Sequence, residues 1–332
     1  MSLLEDIEAV LERTGPPGAD EYAVLLERTI TILQHEDTLR RPRDRQDLSG
    51  GFLELYTDIP TIVLPDLHAR MDFFYAVLQW RPGGEAQVAD LLTDGGIQIL
   101  CLGDGFHAER RSRERWQAAF KEYGKNWKKH AAMDDEMRES LGLMEMVQLC
   151  KRAARDHFHF LKGNHENILN EEGEGNHPFR KFAWEGEMVR HWVETFYGSA
   201  FLELYALFEK SLPLFARGGS FLASHAEPAV YFTRDEIINA RQDPEVILGL
   251  TWTDNDEADQ DSVARYLDEY LGGRADTVYL GGHRSVAGRF ALRSRGRFIQ
   301  FHNPDTYQVA LVPADRPFDP ETDIITLTES AQ

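Results

Sequence analysis

Five apolar segments of this sequence end in side chains of types that commonly bind metal ions. The segments TIVLP, IQILCL, HFHFLK, SFLA and TVYL have the length and composition of buried β-strands. Carboxylate, amide and imidazole groups without a thiolate suit Mn, Fe, Zn or Ni, and one carboxylate can bridge two ions. The candidate ligands are Asp66 and His68 in PDLH, Asp104 in LGDG, Asn164 and His165 in KGNHEN, His225 in ASHAEP, and His283 in GGHRS.

The spacing of these segments indicates that their ends meet. Helical stretches alternate with the short strands, which is typical of an α/β fold. In open α/β sheets the carboxyl ends of the strands gather polar groups at one edge. We therefore expect the candidate ligands to form a single cluster. Taken singly, each has a plainer interpretation, because an Asp can cap a helix and a buried His can satisfy a local hydrogen bond.

The composition limits the classes of partner. The chain has 332 residues, 42% of them hydrophobic, which is enough for a large core. Its net charge of -20 repels polyanions, so we expect neither a nucleic acid nor an anionic membrane as partner. No stretch predicts a membrane span or an export signal. Cys101 and Cys150 are the only cysteines, and we expect both to be reduced in a cytoplasmic protein.

Two helical regions flank or interrupt the strands. Helical spacing of apolar residues predicts an N-terminal extension over residues 1–50, and residues 51–332 form the main domain. A charged stretch of about residues 109–155 predicts a helical insertion with aromatic residues at near-helical spacing. The simpler interpretation is that these aromatic residues pack against the fold. The other is that the insertion covers the metal centre and selects substrates by size.

The ordered set of motifs resembles the calcineurin-like metallophosphoesterases, nearest to the serine/threonine protein phosphatase and diadenosine tetraphosphatase branch. GNHE is the most distinctive of these motifs, and the resemblance covers about residues 58–312. WTDND at 252–256 and FHNPDTY at 301–307 are looser landmarks of the same branch. The resemblance implies an α/β fold built as a four-layer αββα sandwich.

The resemblance also implies a site with two divalent or trivalent metal ions, of Mn, Fe, Zn or Ni. His165 would act as general acid while a metal-bound hydroxide attacks phosphorus in line. The implied activity is hydrolysis of phosphate esters, by a phosphomonoesterase whose substrate is a phosphorylated small molecule or a phosphoprotein. Asp104 would bridge the two ions, and the full set of implied ligands is Asp66, His68, Asp104, Asn164, His225 and His283.

The sequence departs from this branch after the second motif. Protein phosphatases of the branch have Asp-Arg-Gly there, with the Arg on phosphate, whereas GDGFHAERR continues with a His and an Ala. Glu109 and Arg110 supply an acidic and a basic residue two positions later, or they are two exposed charges that open a helix. Arg70 and Arg284 are further candidates for binding phosphate.

Two other functions are compatible with the motifs. One is a dinucleoside polyphosphate hydrolase, which the same branch contains. The other is a metal-stabilised binding protein without catalysis, which the missing Asp-Arg-Gly suggests. His165 favours an enzyme, because a site that no longer turns over substrate needs no general acid.

Overall fold

Alternating residues of the buried strands face different layers of the core. In the computed structural model, which describes residues 2–327, Ile62 and Leu64 pack against helices, whereas Val63 packs between two sheets. Successive side chains of a strand point to opposite faces, so a strand of apolar residues is buried on both sides. A third cluster lies on the outer face of the second sheet. The layers are therefore helix, sheet, sheet and helix.

Eleven strands occur within residues 2–327, and they are numbered in chain order. They are β1 (Phe52–Glu54), β2 (Thr61–Leu64), β3 (Gln98–Cys101), β4 (Phe158–Phe160), β5 (Phe215–Arg217), β6 (Phe221–Ser224), β7 (Val278–Gly281), β8 (Ala291–Arg293), β9 (Phe298–Gln300), β10 (Gln308–Val312) and β11 (Ile324–Thr326).

The α-helices of the same residues are numbered in the same way. They are α1 (Leu3–Glu12), α2 (Ala19–Gln34), α3 (Met71–Gln79), α4 (Val88–Thr93), α5 (Arg113–Tyr123), α6 (Ala131–Ala153), α7 (Glu185–Phe196), α8 (Ser199–Lys210), α9 (Arg234–Ile238), α10 (Pro244–Thr251), α11 (Ser262–Leu271) and α12 (Pro320–Asp323).

The two sheets place parallel strands at their centres. The first has the order β11-β10-β2-β3-β4, with β2, β3 and β4 parallel. The second has the order β1-β5-β6-β7-β9-β8, with β6, β7 and β9 parallel. Parallel neighbours end at the same edge, so the loops after these six strands are close to one another. Two sheets between two helical layers form the αββα sandwich that the motifs imply.

The predicted N-terminal helices are present as α1 and α2, and both belong to the helical layer over the first sheet. α1 begins at a capping box of Ser2 and Glu5, and Arg13 next to its end donates to Glu145 of α6 at 2.5 Å. α2 packs against α6 and α8. Among residues 2–327 no helix is both long enough and apolar enough to span a membrane.

The predicted insertion forms α5 and α6, which are part of the same helical layer. Trp116 and Trp127 are buried in the helix-sheet core, together with Met137, Leu141 and Met144 of α6. The aromatic residues of the insertion therefore pack mainly inward, as the simpler interpretation has it. Phe120 is the exception, because 38% of its surface is exposed.

A buried ionic cluster joins the segment that follows α2 to α6. Glu36 accepts from Lys151 at 2.5 Å and from Arg41 at 2.7 Å, and all three side chains are buried. Lys151 also donates to the carbonyl of Phe158 in β4 at 3.0 Å, which connects the helices to the sheet. Burial by itself would raise the pKa of Glu36, but Lys151 and Arg41 hold this pKa well below its ordinary value of 4.5.

We predict that Glu36→Gln lowers the free energy of unfolding by about 3–5 kcal/mol, because two buried cations lose their shared carboxylate. The stabilisation by ionised Glu36 is present above its unfolded pKa of 4.5 and is lost as pH falls toward the lower folded pKa. Denaturant unfolding between pH 3 and about pH 7 should therefore show a flatter acid limb in the variant than in the wild type.

Asp276→Asn is the matched control, because Asp276 forms an exposed ion pair with Arg274 at 3.3 Å. Its loss should cost about 1 kcal/mol or less. A loss as small for Glu36→Gln as for the control would show that the buried cluster contributes little.

Candidate metal centre

The structure brings together all seven candidate side chains that follow the five strands. Asp104, after β3, lies at the centre of the group. Its Oδ2 atom is 3.4 Å from Nε2 of His225 and 3.7 Å from Nε2 of His68. Nε2 of His165 is 3.8 Å from the same oxygen. Asn164 joins the group through His225 and His283, and Asp66 joins it through His68.

One half of the cluster is built around the amide of Asn164. Its Oδ1 atom is 2.9 Å from Nε2 of His225 and 3.0 Å from Nδ1 of His283. Nδ1 of His225 is 2.9 Å from the carbonyl of Leu102, and a proton on Nδ1 leaves Nε2 as a lone pair directed at the cluster. The amide oxygen is placed toward both rings, so Oδ1 of Asn164, Nε2 of His225 and Nδ1 of His283 converge as three acceptors. A cation between these atoms satisfies all three.

The charges of the cluster fit a cation as well. Asp66 and Asp104 are fully buried, and Oδ2 of Asp66 has no hydrogen-bond partner among the described residues. Burial raises the pKa of Asp66. Burial alone would lower the pKa of His225, but the carboxylates of Asp104 and Asp66 raise it to about 9. The donor set, with its oxygen and imidazole atoms, is therefore suited to divalent metal ions.

Several candidate ligands lie on a strained backbone. His68, Asp104 and His283 have φ angles of 43°, 53° and 63°, in the left-handed region that most residues avoid. Gly282 precedes His283, and a Cβ atom there would lie 1.9 Å from Oδ1 of Asp66. Gly163 precedes Asn164, and its Cβ would lie 2.3 Å from Oδ1 of Asp104. These two motifs therefore require glycine because the facing carboxylates come so close.

Glu166, the last residue of GNHE, holds the loops after β3 and β4 together. Its carboxylate accepts hydrogen bonds from the backbone N–H groups of Asp104 at 2.9 Å, Gly105 at 2.8 Å and Gly163 at 2.6 Å. The loop after β2 is attached as well, because the N–H of His68 donates to the carbonyl of Asp104 at 2.7 Å. The motif thus contains a positioning residue that sequence reasoning left without a role.

Arg70 has contacts other than those expected of a phosphate-binding residue. Arg70 is 5% exposed, and its guanidinium donates to the carbonyls of Asp66 at 2.7 Å and Leu67 at 3.2 Å. It also donates to the carbonyls of residues 303, 304 and 306, at 3.2–3.4 Å. Burial lowers its pKa to about 10. These contacts favour a structural role in joining two loops over a role in binding phosphate.

A cleft of about 290 Å³ opens over the cluster. Cationic residues at its mouth are Arg180, Lys181 and Arg284, and of the insertion only Glu109 lines it. Helices α5 and α6 therefore do not line the cleft, and the segment 178–181, which sequence reasoning missed, forms part of its rim. The only sequence signal was its basic and aromatic run FRK.

Of the predicted acid-base pair Glu109 and Arg110, only Glu109 lines the cleft. Glu109 pairs with Lys181, and its Oε1 atom is 3.9 Å from Nε2 of His68. The charge of His68 and the pairing with Lys181 lower the pKa of Glu109 to about 2. Arg110 is exposed and is not among the residues that line the cleft. Arg284 lines the cleft and binds Asp254 through two hydrogen bonds of 2.7 and 2.8 Å.

The imidazole of His165 faces the cleft between aromatic rings. Its centroid is 4.0 Å from that of Phe179 and 5.0 Å from that of His107. His107 occupies the position where the branch has the Asp of Asp-Arg-Gly, so an imidazole stands where a carboxylate is common. Burial lowers the pKa of His165 to about 3, although Asp104 opposes this shift.

Two solved structures share the fold of this chain. A protein serine/threonine phosphatase from Saccharomyces cerevisiae, with similarity to human phosphatase PP5, has a TM-score of 0.53 and 15% identity over 95% of this chain and 91% of that chain. A cold-active protein-tyrosine phosphatase of a psychrophilic Shewanella species has a TM-score of 0.50 and 12% identity over 83% and 82%. The likeness confirms the predicted sandwich fold.

Sequence comparison alone does not find this relationship. No family model matches the chain, and no curated protein matches it either.

We predict that Asn164→Ala weakens the binding of one metal ion by at least about 10-fold, because the amide oxygen between His225 and His283 is lost. The measurement is metal content per chain after equilibration with Mn²⁺ or Zn²⁺ at set free concentrations. His35→Ala, which removes an exposed imidazole, is the control and should keep the wild-type content. Unchanged binding in Asn164→Ala would exclude this residue as a ligand.

Proposed function

We propose that this protein is a hydrolase of phosphate esters that works at a centre of two metal ions. The observation that carries the proposal is the buried cluster around Asp104, in which the ligand atoms of five strand ends meet below a cleft with a cationic mouth. Asp66 and His68 would hold one ion, and Asn164, His225 and His283 the other, with Asp104 between them. When bound, the two cations would acidify a water molecule and neutralise phosphate oxygens.

His165 has the position of a proton donor. It lines the cleft next to Asn164, and its Nδ1 atom has no hydrogen-bond partner among the described residues. We infer that His165 donates a proton to the leaving alkoxide oxygen of the substrate. A bound phosphate dianion next to the ring favours the imidazolium, because a neighbouring negative charge raises the pKa of a histidine.

The cations at the mouth of the cleft would hold the phosphate group. Lys181 and Arg284 already bind carboxylates there, Glu109 and Asp254 respectively, so the mouth can accommodate anionic oxygens. A chain of net charge -20 needs such local cations in order to attract a phosphorylated substrate.

We take phosphomonoesters, including phosphorylated side chains of proteins, as the substrate class. The two solved structures are described as protein phosphatases, one for serine and threonine and one for tyrosine. A cleft of about 290 Å³ can enclose a phosphate and the atoms next to it, while the rest of a protein substrate stays outside. Dinucleoside polyphosphates are the second candidate class.

The remaining expectations concern location and metal identity. Cys101 and Cys150 are buried free thiols, which supports a reducing compartment, and we propose the cytoplasm. Mn and Fe are among the ions that the oxygen and imidazole donors can bind.

We predict that His165→Ala leaves the metal content unchanged and slows turnover of an alkyl phosphate by about 10²–10⁴-fold. The loss should be smaller for p-nitrophenyl phosphate, because its leaving group is acidic and needs little protonation. Steady-state rates on both substrates, with metal content measured in parallel, test this. Equal losses on the two substrates would rule out His165 as the general acid. His177→Ala, which changes an exposed imidazole near the cleft, should behave as the wild type.

We predict that Lys181→Met raises KM for p-nitrophenyl phosphate by about 10-fold with a smaller change in kcat, because a charged hydrogen bond to phosphate is lost and Glu109 is left without its partner. Lys210→Met is the control, since Lys210 pairs with Glu171 at 3.0 Å away from the cleft. A normal KM in Lys181→Met would show that the rim segment does not bind phosphate.

A further inference from the structure

His302 follows β9 and lies beside the proposed first metal ion. β9 is parallel to β7, so its carboxyl end is at the same edge of the sheet as that of the strand before His283. His302 is 1% exposed and lines the cleft. Its Nε2 atom is 4.0 Å from Oδ2 of Asp66, and its ring centroid is 5.4 Å from that of His68.

One carboxylate oxygen beside His302 is not satisfied by the protein. Oδ2 of Asp66 is buried without a hydrogen-bond partner among residues 2–327, and it lies 3.8 Å from Nε2 of His68 and 4.0 Å from Nε2 of His302. Buried polar atoms nearly always have a partner, so a bare carboxylate oxygen between two imidazoles needs an explanation. The 4.0 Å between Asp66 and His302 is too long for a direct hydrogen bond.

The same separation suits two ligands of one ion. Ligands bound at about 2.1 Å lie about 3–4 Å apart across the ion. Asp66, His68 and His302 each offer one ligand atom, and these three atoms lie within 4.8 Å of one another. His302 lies in the motif FHNPDTY, but the sequence analysis gave it no role as a ligand.

We propose that His302 is a ligand of the metal ion held by Asp66 and His68. This inference rests on the proposed two-metal function and extends it, because the first ion then has two imidazoles and two carboxylates around it, including Asp104. Imidazole ligands favour Zn, Fe and Ni over Mg and Mn, so His302 gives the first site a preference for the former ions.

Arg70 positions this added ligand. The guanidinium joins the carbonyl of Asp66 to the carbonyls of Asn303 and Thr306, in the loop that begins with His302. The two loops that supply Asp66 and His302 are therefore held at a fixed separation. Lys has a single ammonium in place of the planar fork, so it cannot make this set of contacts.

The test uses the full chain after removal of metal by a chelator. Calorimetric titration with Zn²⁺ and with Mn²⁺ should show two ions per wild-type chain. In His302→Gln, binding of one Zn²⁺ should weaken by at least about 10-fold, and the preference for Zn²⁺ over Mn²⁺ at that site should shrink. Two ions bound with wild-type affinities would overturn the proposal.

His107→Gln is the matched control. His107 is also a buried histidine near the cleft with an unpartnered Nδ1 atom, but it is outside the three-residue group. It should keep both ions at wild-type affinity. Equal weakening of metal binding in the two variants would assign the effect to general disturbance of the site and would overturn the role of His302.

A crystal structure of the Zn²⁺-loaded wild type tests the same point without a substitution, in case His302→Gln does not fold. The proposal requires a nitrogen of His302 at about 2.0–2.1 Å from the ion, and a separation above about 3 Å would refute it. Hydrolysis of p-nitrophenyl phosphate by the wild type tests the proposed function separately, because activity needs bound metal but does not depend on which histidines hold it.

Discussion

The burial of two carboxylates in one site is the constraint on which the rest of the structure depends. Asp66 and Asp104 are fully buried, and within residues 2–327 neither forms an ion pair with Lys or Arg. An ionised carboxylate in such surroundings is costly unless a positive charge is close. The neighbouring groups are imidazoles and an amide, which coordinate cations but bring no permanent charge. A site with this composition is stable only when it binds cations or protons.

Such a site binds cations well only if its candidate ligands are already held in place. Two side chains outside the set of candidate ligands hold the loops that carry them. Glu166 binds the backbone of the loops after β3 and β4, and Arg70 binds the carbonyls of the loops after β2 and β9. Each of them therefore joins two strand ends that are far apart in the sequence. This support helps the left-handed backbone at His68 and Asp104 to persist, because the N–H of Asp104 donates to Glu166 and the N–H of His68 donates to the carbonyl of Asp104.

The parts of the site that could be predicted from the sequence are those with a local signal. A carboxylate or imidazole side chain directly after an apolar strand is such a signal, because the edge where it lies follows from the parallel sheet, and Asp66 and His225 do lie at that edge. His302 carries the same local signal after β9 and lies in FHNPDTY, but the resemblance implies no ligand at this position. The direction of Arg70 was not predictable, since nothing in PDLHAR tells whether the guanidinium turns to the cleft or to the loop carbonyls. The rim segment 178–181 also depends on contacts that only the folded chain defines.

The helices of the insertion are hydrogen-bonded to the loop that follows Asp104. Ala108, in the altered motif, donates through its N–H to Glu136 of α6 at 2.8 Å and accepts through its carbonyl from Trp116 of α5 at 3.1 Å. The N–H of His107 donates to the hydroxyl of Ser140 in α6 at 3.2 Å, and His107 has a φ of 68°. Hydrogen bonds therefore hold the loop that follows Asp104 against α5 and α6, and neither of these helices lines the cleft. Of this loop and the insertion, Glu109 is the last residue that lines the cleft, and the cations that line it come from the segment before α7 and from Arg284.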